Sequence, residues 1–172
     1  MQTSIVITVV SDDHPGIVEA LSEVIADHGG NWAESSMMSL AGKFAGILLV
    51  QLPLENSQAF LAGLDELESR GMQVLAQSSA DAPVADSARE HSLELVGQDR
   101  PGIIHEITEV LAEFDVNVQE LETTVQSASM SGESLFMAHA RIFIPPEVDM
   151  EELQAELEDL ANELMVDIEL ET

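Results

Sequence analysis

The residues Ile5-Val6-Ile7-Thr8-Val9-Val10 are β-branched and almost wholly apolar, the pattern of a central strand. The period then changes. Ile17, Leu21, Val24 and Ile25 fall on one helical stripe, opposite Glu19, Glu23 and Asp27. Gly29-Gly30 supplies the glycine expected where a helix ends. From Trp32 to Leu40 polar and apolar residues partly alternate, and Phe44 to Leu52 is a hydrophobic return strand stopped by Pro53. A second helical stripe carries Phe60, Leu64 and Leu67, and a last strand is expected near Met72 to Gln77.

The same order recurs. Val10 to Val18 matches Val96 to Ile104 at an offset of 86 positions, which also aligns Asn31 with Asn117 and Glu34 with Glu120. Downstream the offset becomes 92, aligning Phe44 with Phe136 and Pro53 with Pro145. About six extra residues therefore sit in the second copy, near the turn-like segment Ser127 to Glu133. Its elements are a strand from His91 to Val96 with Leu93 and Leu95 on one face, and a helix on Ile103, Ile107, Val110, Leu111 and Phe114. Strands follow at Val118 to Val125 and Leu135 to Ile144, then a helix on Leu153, Leu157, Leu160 and Leu164, and a strand near Met165 to Leu170. In the first of these strands Leu121, Thr123 and Val125 point one way and Glu120, Glu122 and Thr124 the other; acids there suit a sheet edge.

The expected fold is therefore α+β: two tandem ferredoxin-like βαββαβ modules, each an antiparallel sheet with both helices on one face. The first is expected over residues 1–80, a linker over 81–89 and the second over 90–172. Modules this small bury little surface alone, so packing together or forming a homo-oligomer is expected.

Charge narrows the function. With 33 acidic residues against 5 Lys and Arg, the formal net charge is −28. Such a chain repels phosphate backbones and anionic membranes, so neither direct nucleic-acid binding nor membrane binding is expected. There is no cysteine, which excludes disulfides, thiol catalysis and Cys-ligated zinc. No basic n-region or long apolar run is present, and a cytoplasmic protein is expected. The five histidines show no metal-ligand spacing, and no nucleophile elbow, dinucleotide fingerprint or phosphate-binding loop occurs. No catalytic residue, metal or cofactor is predicted. Trp32 is assigned to an interface or linker contact, and the methionines, Met37, Met38, Met130 and Met137 among them, to core or interface packing.

The remaining candidate is the loop between the first strand and first helix of each module: Asp13-His14-Pro15-Gly16-Ile17 and Asp99-Arg100-Pro101-Gly102-Ile103. Proline is tolerated in a first helical turn, Asp is a good N-cap, and glycine lets a ligand approach the backbone. The free N–H groups of that turn favour a carboxylate. Two readings stand: a cap and tight turn only, or a binding loop. Arg100 is likewise either a ligand contact or the partner of a nearby acid.

These loops, the downstream asparagines and the βαββαβ order resemble the ACT domain. The second loop, from Val96 to Ile103, is similar to the tandem-ACT family of the glycine cleavage system transcriptional repressor. The resemblance implies a small-molecule site, often for an amino acid, at an interface between modules. It carries over to Asp13, His14, Pro15, Gly16, Ile17 and Asn31, and to Asp99, Arg100, Pro101, Gly102, Ile103 and Asn117. It implies a non-catalytic regulator that senses a small amino acid such as glycine. Such a regulator would contact a transcription factor, of the LysR type by resemblance. The alternative is a ligand-responsive module regulating a metabolic enzyme in trans.

Overall fold

A computed structural model describes residues 1–79, 88–127 and 134–171. The chain divides into two compact units, Met1–Pro83 and Val84–Thr172. The first holds β1 (Gln2–Asp12), α1 (Ile17–Asp27), β2 (Asn31–Leu40), β3 (Lys43–Pro53), α2 (Ser57–Asp65) and β4 (Gln73–Ser78). The second holds β5 (Arg89–Gln98), α3 (Ile103–Glu113), β6 (Asn117–Ser127), β7 (Ser134–Ile144), α4 (Met150–Leu164) and β8 (Val166–Glu171). Each is the expected ferredoxin-like βαββαβ unit. The strands run in the orders β2-β3-β1-β4 and β6-β7-β5-β8, with every pairing antiparallel. The apolar run of Ile5 to Val10 is indeed an inner strand, and the acid-bearing strands β2 and β6 are edges.

Burial alternates along the strands. Ile5, Ile7 and Val9 of β1 and Leu48, Val50 and Leu52 of β3 form one core with Leu21, Ile25, Phe60 and Leu64 from the helices. Leu93 and Leu95 of β5, with Ile142 and Ile144 of β7, form the other with Ile107, Leu111, Leu153 and Leu157. Local bonds fix the helix ends. Asp149 caps α4 by accepting from the N–H groups of Glu151 and Glu152. The Asn56 side chain donates to the His28 carbonyl just past α1, at 2.8 Å.

Several expectations change in detail. The strands run longer than their apolar runs, because pairing continues through flanking polar residues; β5 already includes Arg89, at the end of the expected linker. The rest of that linker, apart from Ala88, and all but the first residue of the turn-like segment from Ser127 to Glu133 lie outside the described residues, as does Met130. Trp32 packs against the first module's own core, since its place on β2 opposite Val50 turns it under the helices. Met37 joins that core, whereas Met38, its neighbour on the strand, faces outward and is exposed.

One core position tests the duplication. His91 takes the place in the inner strand of the second module that Ile5 takes in the first. It is buried, and its Nε2 has no partner among the described residues. A buried unsatisfied group costs about 1–3 kcal/mol. His91→Ile is therefore expected to stabilise the second module by about that much, read as a higher urea midpoint at unchanged slope. A lower midpoint would mean that the imidazole has a partner worth keeping.

Candidate functional site

The two Asp-X-Pro-Gly-Ile loops fold alike. α1 begins at Ile17 and α3 at Ile103, with Gly16 at φ 98° and Gly102 at φ 96° as the N-cap residues. This left-handed conformation favours glycine and strains any other residue. Neither helix has a side-chain cap, so Asp13 and Asp99 are not N-caps, and Pro15 and Pro101 lie before the first turn, not in it. The physical reason is the positive φ, which turns the chain sharply at the glycine and starts the helix two residues later than proline-first capping would. Ile17 and Ile103 are buried and anchor the turn, while Asp13, His14, Pro15, Gly16 and their counterparts Asp99 to Gly102 stay exposed.

The asparagines lie elsewhere. Asn31 pairs with Gln51, which pairs with Ser4, whereas the loop follows Asp12, which pairs with Lys43. Ser4 and Asp12 are eight positions apart, about 26 Å along a strand. Asn117 likewise sits level with Glu90, at the opposite end of β5 from Gln98. Each module thus keeps its loop and its asparagine at opposite ends of the sheet. The reason is topological: the helix runs back along the sheet before the edge strand starts.

The two loops differ in surroundings. In the first module Ser39 of β2 donates to the Asp13 carboxylate at 2.6 Å, and the Asp13 N–H donates to the Gly42 carbonyl at 3.0 Å. Lys43 donates to Asp12 beside them, and this hydrogen bond, reinforced by the lysine charge, holds the Asp12 carboxyl below the ordinary carboxylate range. The stability from that pair is present above the ordinary range and fades as pH falls through the lowered value. His14 carries no formal charge when neutral, and its Nδ1 lies 3.0 Å from the Pro15 carbonyl oxygen.

In the second module the loop borders a cleft of about 370 Å³ lined by Gln98, Arg100, Glu106, Glu163, Leu164 and Met165. Arg100 donates from one nitrogen to both oxygens of Glu106, at 3.2 and 3.0 Å. Both side chains stay partly open, at 41% and 34% exposure, so the pair is solvent-accessible and separable. The reading of Arg100 as the partner of a nearby acid is thus realised in this structure. The cleft adds residues that the motif did not flag. Glu163 lies in the last turn of α4, more than 60 positions downstream, and no local pattern links it to the loop. Glu106 did carry a signal. Where the second copy has Arg100 and Glu106, the first has His14 and Ala20, so cation and acid arrive together. Among the described residues no cluster of three potential metal ligands occurs. No helix there is long and apolar enough to cross a membrane.

Family models for the ACT domain match residues 3–77 and 91–161, one on each module. The chain belongs to the ACT domain family, with two such domains in tandem. The resemblance read from the loops thus holds for family and fold. A solved structure of an unknown protein from Galdieria sulphuraria is 31% identical and covers 99% of this chain and 98% of its own, with a TM-score of 0.89. A candidate glycine cleavage system transcriptional repressor, 19% identical, covers 99% of this chain and 96% of its own at a TM-score of 0.69, and so shares the tandem ACT fold. The phosphoserine phosphatase SerB2 of Mycobacterium tuberculosis is 26% identical over 176 residues, 99% of this chain. The chain spans 41% of the phosphatase and 56% of the second curated relative that it matches.

Proposed function

We infer that the protein is a non-catalytic sensor of a small amino acid, and that the second ACT domain holds the ligand. One observation carries this: the cleft beside the second loop places a single cation, Arg100, among the carboxylates Glu106 and Glu163. That is the complement of a zwitterion. A ligand carboxylate takes Arg100 from Glu106 and meets the open backbone near Gly102. The α-ammonium is left to Glu163 or Asp99. Pro101 and Ile103 hold the turn in place. The first loop, Asp13 to Ile17, is the weaker site: it lacks the arginine, and Asp13 is already engaged by Ser39. Asn31 and Asn117 can serve such a ligand only where the edge of one module meets the loop of another copy of the module, because each lies at the far end of its own sheet.

The ligand in this reading is glycine or an amino acid of similar size. The output is contact with a transcription factor that controls glycine cleavage genes, with a LysR-type activator as partner. The likeness to the candidate repressor supports it. The likeness to the phosphoserine phosphatase favours a second reading, in which the paired domains regulate a metabolic enzyme. Amino-acid titration followed by pull-down with and without ligand separates the two by the class of protein retained.

With a net charge of −28, the purified protein alone is expected to give no gel shift on a glycine cleavage promoter at about 0.1 M salt. A shift by the protein alone would overturn action through a protein partner.

A further inference from the structure

We propose that the sheet face of the first ACT domain turned away from its helices docks against the same face of a second copy of this chain. The two domains share one topology but differ sharply on this face. Three cross-strand rows of the first domain read Ile47–Thr8–Leu75, Leu49–Val6–Gln77 and Ala45–Val10–Gln73. The matching rows of the second read His139–Glu94–Glu169, Arg141–Ser92–Glu171 and Met137–Val96–Asp167. The edge strand follows suit, with Met38 on the first face and Thr124 on the second.

The second face shows what the fold tolerates in water. Its charges are solvated or paired, Arg141 with Glu120 at 2.9 Å, and Ser92 and His139 share a hydrogen bond at 3.1 Å. The apolar character of the first face is therefore not required by the ACT fold. Met38, Ile47 and Leu75 are each more than half exposed. An apolar patch of this kind marks an interaction site.

Charge selects the occupant. The three first-domain rows carry no formal charge in a chain of net charge −28. Of the nearby acids, Asp12 is paired with Lys43, which leaves Glu34. A basic partner would be drawn to the acids elsewhere and find little here. A second copy of an acidic chain meets less repulsion on this face than on the matching face of the second domain, and a two-fold axis makes the patch self-complementary. The area suffices. Four strands about 4.8 Å apart, over about 26 Å of length, give about 500 Å² per copy and about 1,000 Å² in all, the lower bound for a specific interface.

Sedimentation equilibrium of the full chain tests this directly. The expected mass is twice the 18.6 kDa of one chain. The dissociation constant should fall as salt rises from about 0.1 to 1 M, because salt screens the mutual repulsion of the two acidic copies. Leu75→Glu, which copies the residue at the matching place in the second domain, should raise that constant at least about a hundredfold. Its circular dichroism should not change, since Leu75 is 60% exposed. Peroxide oxidation offers a test free of mutation. Met38 should be oxidised more slowly above the dissociation constant than below it, whereas Met165, 85% exposed outside this face, should not change. A monomer at every concentration, a dimer weakened by salt, a dimer indifferent to Leu75→Glu, or Met38 oxidation independent of concentration would each overturn the proposal.

Discussion

Replacing Gly97 by alanine should lower the melting temperature of the second ACT domain by roughly 5–20 °C. Gly97 sits on the inner strand β5, directly opposite Val166 of β8. A methyl group built there would lie 2.8 Å from the Val166 Cβ, closer still to its Cγ1, and 3.3 Å from its backbone Cα. Rotating the valine can move Cγ1 but not Cβ, so the strand itself must shift. Overpacking of this kind costs about 1–3 kcal/mol, and each kcal/mol lowers the midpoint of a domain this size by about 4–8 °C. Val166→Ala should be milder alone and should couple to the first change, so that the double variant is less destabilised than the sum. The first domain shows why the position is not glycine by necessity. Ser11 stands there, one step beyond the Val10–Gln73 pair and next to Met72, whose unbranched side chain can move aside. An additive double variant would mean that Gly97 and Val166 act independently.

The second large effect concerns binding. Arg100→Gln is expected to weaken amino-acid binding by about 10–100-fold, the worth of a charge-assisted hydrogen bond of about 1.5–3 kcal/mol. The fold should be unaffected, because the side chain is 41% exposed and its present partner Glu106 is also open to water. His14→Gln at the matching place in the first loop should change binding less than about threefold, since no cation is lost there. Equal effects at both positions would show that the loops bind alike. Valine at Gly16 or Gly102 is a poorer probe. At φ near +97° a β-branched residue strains the backbone by about 1–3 kcal/mol, so loss of binding would be mixed with loss of the helix start.

Much of the fold was legible because the signals repeat. The apolar run Ile5 to Val10, the stripes at Ile17 and Ile103, and the prolines at 53 and 145 each marked an element that the structure contains. Strand ends were less legible, since hydrogen bonding extends past the apolar residues that set the pattern. The exposure of Leu121 and Val125 was also invisible. Their side of β6, opposite the acids, does face the helices, but an edge strand reaches past what α3 covers.

The site was legible only in part. The duplicated loops stood out, and the role of their glycines as left-handed residues follows from the geometry. The separation of Asn31 and Asn117 from the loops could have been foreseen, because a helix of 11 residues carries the chain to the other end of the sheet. Glu163 could not, since only folding brings the end of α4 beside the loop. The difference between the two open faces was also present in the sequence, as Leu75 against Glu169 and Ile47 against His139, but the strand register was needed to see it.

Isothermal titration calorimetry of the full chain against glycine, serine and the branched-chain amino acids tests the central claim most directly. The expected result is saturable binding of at least one small amino acid at one site per chain, retained in His14→Gln and weakened at least about tenfold in Arg100→Gln. Absence of binding to any of them, or binding that Arg100→Gln leaves unchanged, would contradict it.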